Sequence, residues 1–188
     1  TGANPEKVTK QLREKLDLNA HLLQMPIGLE SDLKGVVDLI TMKAVYFDGE
    51  SGEDIRIEEI PAAMLEEAKE KQEALLEEVS MFSEELMGAL LEGGEVDTAL
   101  VYDAVRKGTL ALEFTPVLVG SAYKNKGVQS LLDAVESYLP CPTDVVNMAL
   151  DLNDGEKEFA VTNDPKDPLI MLAFKLEDGR YGHLTYVR

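Results

Sequence analysis

Thr115 to Gly120 reads TPVLVG, a continuous apolar run closed by a glycine. The polar stretch SAYKNKG follows, and then Val128, Leu131, Leu132, Val135 and Tyr138 recur at helical spacing. A run that is apolar at every position is how a strand buried on both faces of a parallel sheet reads. Strand, polar loop and amphipathic helix in this order make half of a βαβ element. This unit therefore predicts an α/β fold, with the loop at the carboxyl end of a strand, where ligands bind in open α/β sheets.

Gly120, Ser121, Ala122, Tyr123 and Lys124 form the start of that loop. Loop N–H groups there can donate to a base oxygen, and a residue as small as Ala122 lets the backbone approach closely. The Ser121 hydroxyl can fix the turn. Lys124 is placed to lie along a purine or to order the loop. The five residues alone also fit a strand-to-helix turn with no ligand.

Elsewhere the pattern is mixed. Residues 5 to 16 read as a helix with Pro5 in its first turn and Val8, Leu12 and Leu16 on one face. Leu22 to Ile27 reads as one short strand. Gly35 to Phe47 is β-branched and aromatic, Asp48-Gly49 is a hairpin turn, and Ile55 to Ile57 is the returning strand. Pro61 opens a helix through about residue 80. Ser83 starts a second helix, stopped by Gly93-Gly94. Asp97 caps a third, ending at Lys107-Gly108. Pro140 and Pro142 bracket Cys141 at a boundary. Residues 143 to 166, rich in Asp and Asn, read as a linker leading into short strands. Leu169 to Lys175 and Leu184 to Val187 flank EDGRYGH as a β-hairpin. Thr1 is not an initiator Met and the sequence stops inside an apparent strand, so the chain is expected to be a piece of a longer one.

The formal net charge of −18 argues against charge-driven binding of phosphate backbones, which needs clustered Lys and Arg. Between Ile60 and Glu95 there are ten acids (Glu66, Glu67, Glu70, Glu73, Glu77, Glu78, Glu84, Glu85, Glu92 and Glu95) against Lys69 and Lys71. Glu66, Glu70, Glu73 and Glu77 share one helix face, which is either a solvated surface or a surface for a basic partner. Cys141, the single cysteine, allows no intrachain disulfide. No apolar run approaches the roughly 20 residues of a membrane span. His21 and His183 have no Cys or carboxylate at metal-ligand spacing and read as structural or surface residues.

The string GSAYKNKGVQSLLDAVESYLPCP, residues 120 to 142, resembles the fifth guanine-binding motif and following helix of elongation factor G. TGAN at Thr1 to Asn4 resembles the residues just after that family's NKxD motif. The resemblance continues through MPIG (Met25 to Gly28), GVVDLITMKA (Gly35 to Ala44), IPAAM (Ile60 to Met64), RKGT (Arg106 to Thr109) and LAFKLEDGRYGHLTYVR (Leu172 to Arg188). The last of these is similar to mitochondrial and some bacterial branches.

The resemblance implies a partial P-loop-type GTPase domain (residues 1–27 and 114–139) and an α+β insertion subdomain (28–113). A linker and the first strands of a β-barrel domain (140–188) would come next. It implies a parent GTPase that binds GTP or GDP with Mg2+ and drives movement of tRNA and mRNA through the ribosome, in the cytoplasm or the mitochondrial matrix. Ser121, Ala122, Tyr123 and Lys124 would contact the nucleotide, and the acidic helices would face the stalk protein of the large ribosomal subunit. A ribosome-recycling relative and a non-enzymatic protein-binding module are the alternatives.

No GxxxxGK[ST] string is present, so the chain is expected to touch guanine without holding or cleaving phosphates. No catalytic or metal-binding residue is assigned. Asp32-Leu33-Lys34-Gly35 matches DxxG only on the wrong side of the guanine motifs. Asn125-Lys126 is not NKxD, because Val128 and Gln129 stand where an aspartate is needed.

Overall fold

The computed structural model describes residues 2–94, 96–180 and 182–188. Thr1, Glu95 of the acidic stretch and Tyr181 of the hairpin turn lie outside the described residues. The chain divides into two compact units, Thr1–Leu139 and Pro140–Arg188.

In the first unit, α1 (Pro5–Leu16) is capped by Asn4, whose side-chain oxygen accepts from the Lys7 N–H at 2.9 Å. It ends on Asp17 in the left-handed region. β1 (Ala20–Leu22) pairs in parallel with a later strand at Thr115–Val117. One residue further on the chain changes sheets, and β2 (Gln24–Ile27) pairs antiparallel with β3 (Gly35–Asp38). Leu23 joins the two sheets: its N–H donates to Val117 O at 2.9 Å and its carbonyl accepts from Leu39 N at 3.0 Å. The apolar run Leu22 to Ile27, predicted as one strand, is thus parts of two, because each half finds a different partner.

β4 (Lys43–Asp48) and β5 (Asp54–Glu58) complete a four-stranded antiparallel sheet in the order β2-β3-β4-β5. The turn between them is longer than the two residues predicted at Asp48-Gly49. It runs to Glu53, whose carboxylate accepts from the Ser51 N–H at 2.8 Å.

Three helices follow. Pro61 leads into a 3-10 turn and then α2 (Leu65–Ser80). α3 (Glu84–Leu91) starts at Ser83, whose hydroxyl accepts from Leu86 N at 3.3 Å. α4 (Thr98–Leu110) starts at Asp97, which accepts from Ala99 N at 2.9 Å. α4 runs past its predicted end at Lys107-Gly108. Gly108 is buried, and its missing side chain lets the Phe82 ring and the Phe114 Cβ close in, each 2.8 Å from where a Cβ would stand. The glycine serves packing, and the left-handed residue that ends the segment is Leu112. Met25, Val37, Leu39, Val79, Leu86 and Val105 from strands and helices meet in one buried core. On α2, Glu66, Glu70, Glu73 and Glu77 are exposed. Lys71 pairs with Glu6 and, at 2.8 Å, with Glu67.

β6 (Thr115–Val117) is shorter than the predicted Thr115–Gly120 strand and half-buried. Its strand partner among the described residues is β1, paired in parallel, and none of its three residues is fully buried, unlike the predicted strand. α5 (Val128–Tyr138) follows, with Tyr138 buried and stacked 6.2 Å from Tyr102. Burial pushes the Tyr138 hydroxyl pKa up. Leu131, Leu132 and Val135, at the predicted spacing, are exposed. Arg106 of α4 closes the end of α5 by donating to Ser137 O at 2.8 Å and Leu139 O at 3.2 Å.

His21 is structural. It stacks on Phe114 at 5.4 Å, meets Asn19 Oδ1 through Nε2 at 2.7 Å, and receives Arg13 at Nδ1 at 3.1 Å. Burial first and the Arg13 charge second hold its pKa below the ordinary imidazole value, with Glu78 opposing.

In the second unit, β7 (Asn147–Asp151) and β8 (Lys157–Val161) form an antiparallel hairpin. It lies within the stretch predicted as a linker. β9 (Ala173–Gly179) and β10 (Gly182–Val187) form another hairpin, set later in the chain than Leu169–Lys175. Reciprocal bonds between Leu172 and Arg188, at 2.8 and 2.9 Å, extend it. Cys141 and His183 are exposed in this unit, His183 lying 3.5 Å from Asp178. No helix among the described residues is long and apolar enough to cross a membrane.

Candidate functional site

The loop after β6 is a closed turn. Ser121 N donates to Lys126 O at 2.8 Å and Lys126 N returns to Ser121 O at 3.1 Å. Between them lies a 3-10 turn, Ala122–Lys124, with Lys124 N donating to Ser121 O and Asn125 N to Ala122 O, both at 3.1 Å. These bonds use the N–H groups of residues 121 and 124 to 126. The Ala122 and Tyr123 N–H groups stand at the start of the turn, where a helical segment has no internal acceptor for them.

Two glycines permit this shape. At Gly120 a Cβ would stand 2.7 Å from Lys126 O, and Gly127 has a φ of +81° with a Cβ position 2.7 Å from Val119 O. A side chain at either place would push the two ends of the loop apart.

The loop is tied from outside by residues far away in sequence. Lys124 Nζ donates to Glu30 O at 3.2 Å and Ser31 O at 2.8 Å. Lys126 Nζ donates to Leu33 O at 3.2 Å. Gln129 Nε2 donates to Gly52 O at 3.0 Å. Beside the loop a cleft of about 370 Å³ is lined by Asn4, Pro5, Leu29, Val119, Gly120 and Ser121. Glu30 borders it and accepts from the Gly2 N–H and, at 3.1 Å, from the Ala3 N–H. Those bonds hold its carboxyl below the usual carboxylate pKa. A larger cleft of about 550 Å³ lies elsewhere, between α1 and α2.

The strand, the turn whose internal bonds leave the Ala122 and Tyr123 N–H groups unused and the cleft at Gly120 and Ser121 adjoin one another. Elongation factor G 1 of Desulfotalea psychrophila is 75% identical over 189 residues, covering 100% of this chain. Proteins of the same name from Syntrophus aciditrophicus and Borreliella burgdorferi are 55% and 57% identical over 188 residues, again covering all of this chain. The chain is homologous throughout to one stretch of elongation factor G. It spans 27% of the length of each of those relatives. No family model matches it. A crystal structure of a Thermus thermophilus protein aligns over the whole chain and 25% of its own, with a TM-score of 0.74 at 21% identity. That likeness supports the mixed α/β fold.

Within this homologous stretch, the four predicted contact residues separate. Ser121 lines the cleft, but backbone bonds hold its turn and its hydroxyl makes no capping bond. Ala122 is exposed and Tyr123 is 99% exposed, so both bring main chain rather than a buried side chain. Lys124 orders the loop, one of its two predicted tasks, by bonding the carbonyls after β2. Glu30 and Gly52 were not singled out from the sequence, and Lys126 and Gln129 were named only in ruling out NKxD. The bonds that tie them to or from the loop span 77 to 94 positions in the chain, and no local periodicity encodes such pairs.

Proposed function

We propose that this chain is the part of an elongation-factor-G-type GTPase that contacts guanine and carries the insertion subdomain. Residues 1–27 and 114–139 belong to the GTPase domain, 28–113 to the insertion, and 140–188 to the linker and start of the β-barrel domain. The parent protein binds GTP or GDP with Mg2+ and uses hydrolysis to drive tRNA and mRNA through the ribosome. Phosphate and metal chemistry belongs to parts of the parent outside this chain. The reading is carried by one observation: a stretch homologous to elongation factor G closes a turn after a strand whose internal bonds leave the Ala122 and Tyr123 N–H groups unused.

Those N–H groups suit a carbonyl oxygen on a purine, and a small side chain at Ala122 keeps the approach open. In the full-length parent, Ala122→Leu is expected to weaken GDP binding about tenfold, roughly the loss of one well-made hydrogen bond. Equilibrium titration with GDP measures this, and an unaltered affinity refutes the assignment.

The acidic face of α2 supports contact with a basic stalk protein of the large ribosomal subunit. Such a surface accelerates encounter more than it tightens a complex. Reversing Glu70 and Glu73 to Lys is expected to slow stalk-dependent GTP turnover at low salt. The deficit should shrink as salt screens the charges, and turnover unchanged at low salt speaks against the contact.

A further inference from the structure

We propose that the tip of the β4–β5 hairpin is a strut that holds the 120–127 loop in shape, with Gln129 as the positioning residue. The inference rests on the guanine-contact reading of that loop. Two backbones meet here without side chains between them. A Cβ at Gly52 would stand 2.7 Å from Asn125 O and 2.9 Å from Lys124 O, so only glycine lets the tip come this close. Gly52 has a φ of +66°, a conformation that a side chain would also strain. Opposite it, Asn125 closes the 3-10 turn at a φ of 50°, the left-handed state that asparagine takes more readily than other non-glycine residues.

Gln129 supplies the bond across this contact. Its amide donates to Gly52 O at 3.0 Å from the first turn of α5, two residues beyond the loop. Its Oε1 is buried with no hydrogen-bond partner among the described residues. A buried acceptor left in that condition is costly, so the residue is poorly explained as a contributor to stability alone. As a fixed link between hairpin and loop it has a use. The other ties are lysine ammonium groups on long, flexible stems, which water replaces readily. Gln129 and Gly52 form the stiff one. Through them a push on the insertion hairpin reaches the N–H groups of Ala122 and Tyr123 without passing through the core.

Gln129→Met and, separately, Gly52→Ala test this in the full-length parent, by amide hydrogen exchange and by release of a fluorescent GDP analogue. Met removes the bond together with the orphan acceptor, so α2 and α4 should keep their protection. Gly52→Ala reaches the same contact from the other side. In both variants exchange is expected to rise at residues 122 to 127. GDP release is expected to accelerate about tenfold with little change in association, since such effects fall mostly on the off-rate. Unchanged loop exchange in both variants overturns the strut. Exchange that rises throughout α2 and α4 also overturns it, because the contact is then ordinary packing. A loop-only rise with GDP release unaltered shows that the strut exists but that the guanine reading is wrong, and the proposed role falls with it.

Discussion

Leu86→Ala is expected to destabilise the first unit by about 3 kcal/mol, within the range measured for buried leucines. Leu86 is fully buried, and it is the one buried residue of α3. It joins a core that includes Val79 of α2 and Val101 and Val105 of α4. The short helix therefore depends chiefly on this side chain, with half-buried Leu90 packed beside it, to stay attached. Truncation removes apolar area and leaves a cavity between helices that are held elsewhere and cannot fully collapse. Leu91 is the control. It lies on the same helix but is 84% exposed, so Leu91→Ala should change stability by less than about 0.5 kcal/mol. Among the described residues the α-helices all lie in the first unit, so denaturant unfolding followed by the helical circular-dichroism signal reads its stability. Equal effects from the two leucines would show that α3 is not anchored through Leu86.

Periodicity carried much of this fold, and it failed where partners are distant. Asn4, Ser83 and Asp97 are local caps, and their side chains bond the amides that begin α1, α3 and α4. Leu22 to Ile27 looks uniform, yet Leu23 bonds Val117 on one side and Leu39 on the other, so the strand breaks between two sheets. The β7–β8 hairpin was hidden by polar composition, because Asp and Asn near its turn read as linker. The stripe on α5 shows the reverse problem. Leu131, Leu132 and Val135 have the right spacing for a buried face, but spacing states which residues share a face and not what covers it. At the candidate site the loop itself was legible, since strand, turn and helix are contiguous. What holds it was not: Lys124, Lys126 and Gln129 reach carbonyls on a hairpin and a turn that come before α2 in the chain.

Gly35→Ala is expected to cost about 3 kcal/mol, at the upper end of typical overpacking penalties. Gly35 opens β3 and pairs with Ile27 on one side and Tyr46 on the other. A Cβ there would stand 2.2 Å from Val45 O and 2.9 Å from the Tyr46 Cα. Both atoms are backbone of the neighbouring strand, so no side chain can rotate away. The strands must part, and the bond from Phe47 N to Lys34 O, already 3.3 Å, is the first to go. Alanine recovers roughly 0.5–1 kcal/mol of the entropic penalty that glycine carries in a strand, which is too little to offset the clash. The damage also has a direction. Leu33, two residues before Gly35, offers the carbonyl that receives Lys126. Opening this end of β3 therefore loosens the candidate loop as well as the sheet. In the parent protein Gly35→Ala should weaken GDP binding beyond what its loss of stability explains. Gly94 separates these effects. A Cβ there meets nothing within 4 Å, so Gly94→Ala should leave stability unchanged or raise it by up to about 1 kcal/mol. If Gly35→Ala matched Gly94→Ala in the same unfolding measurement, the close approach of β3 and β4 would be refuted.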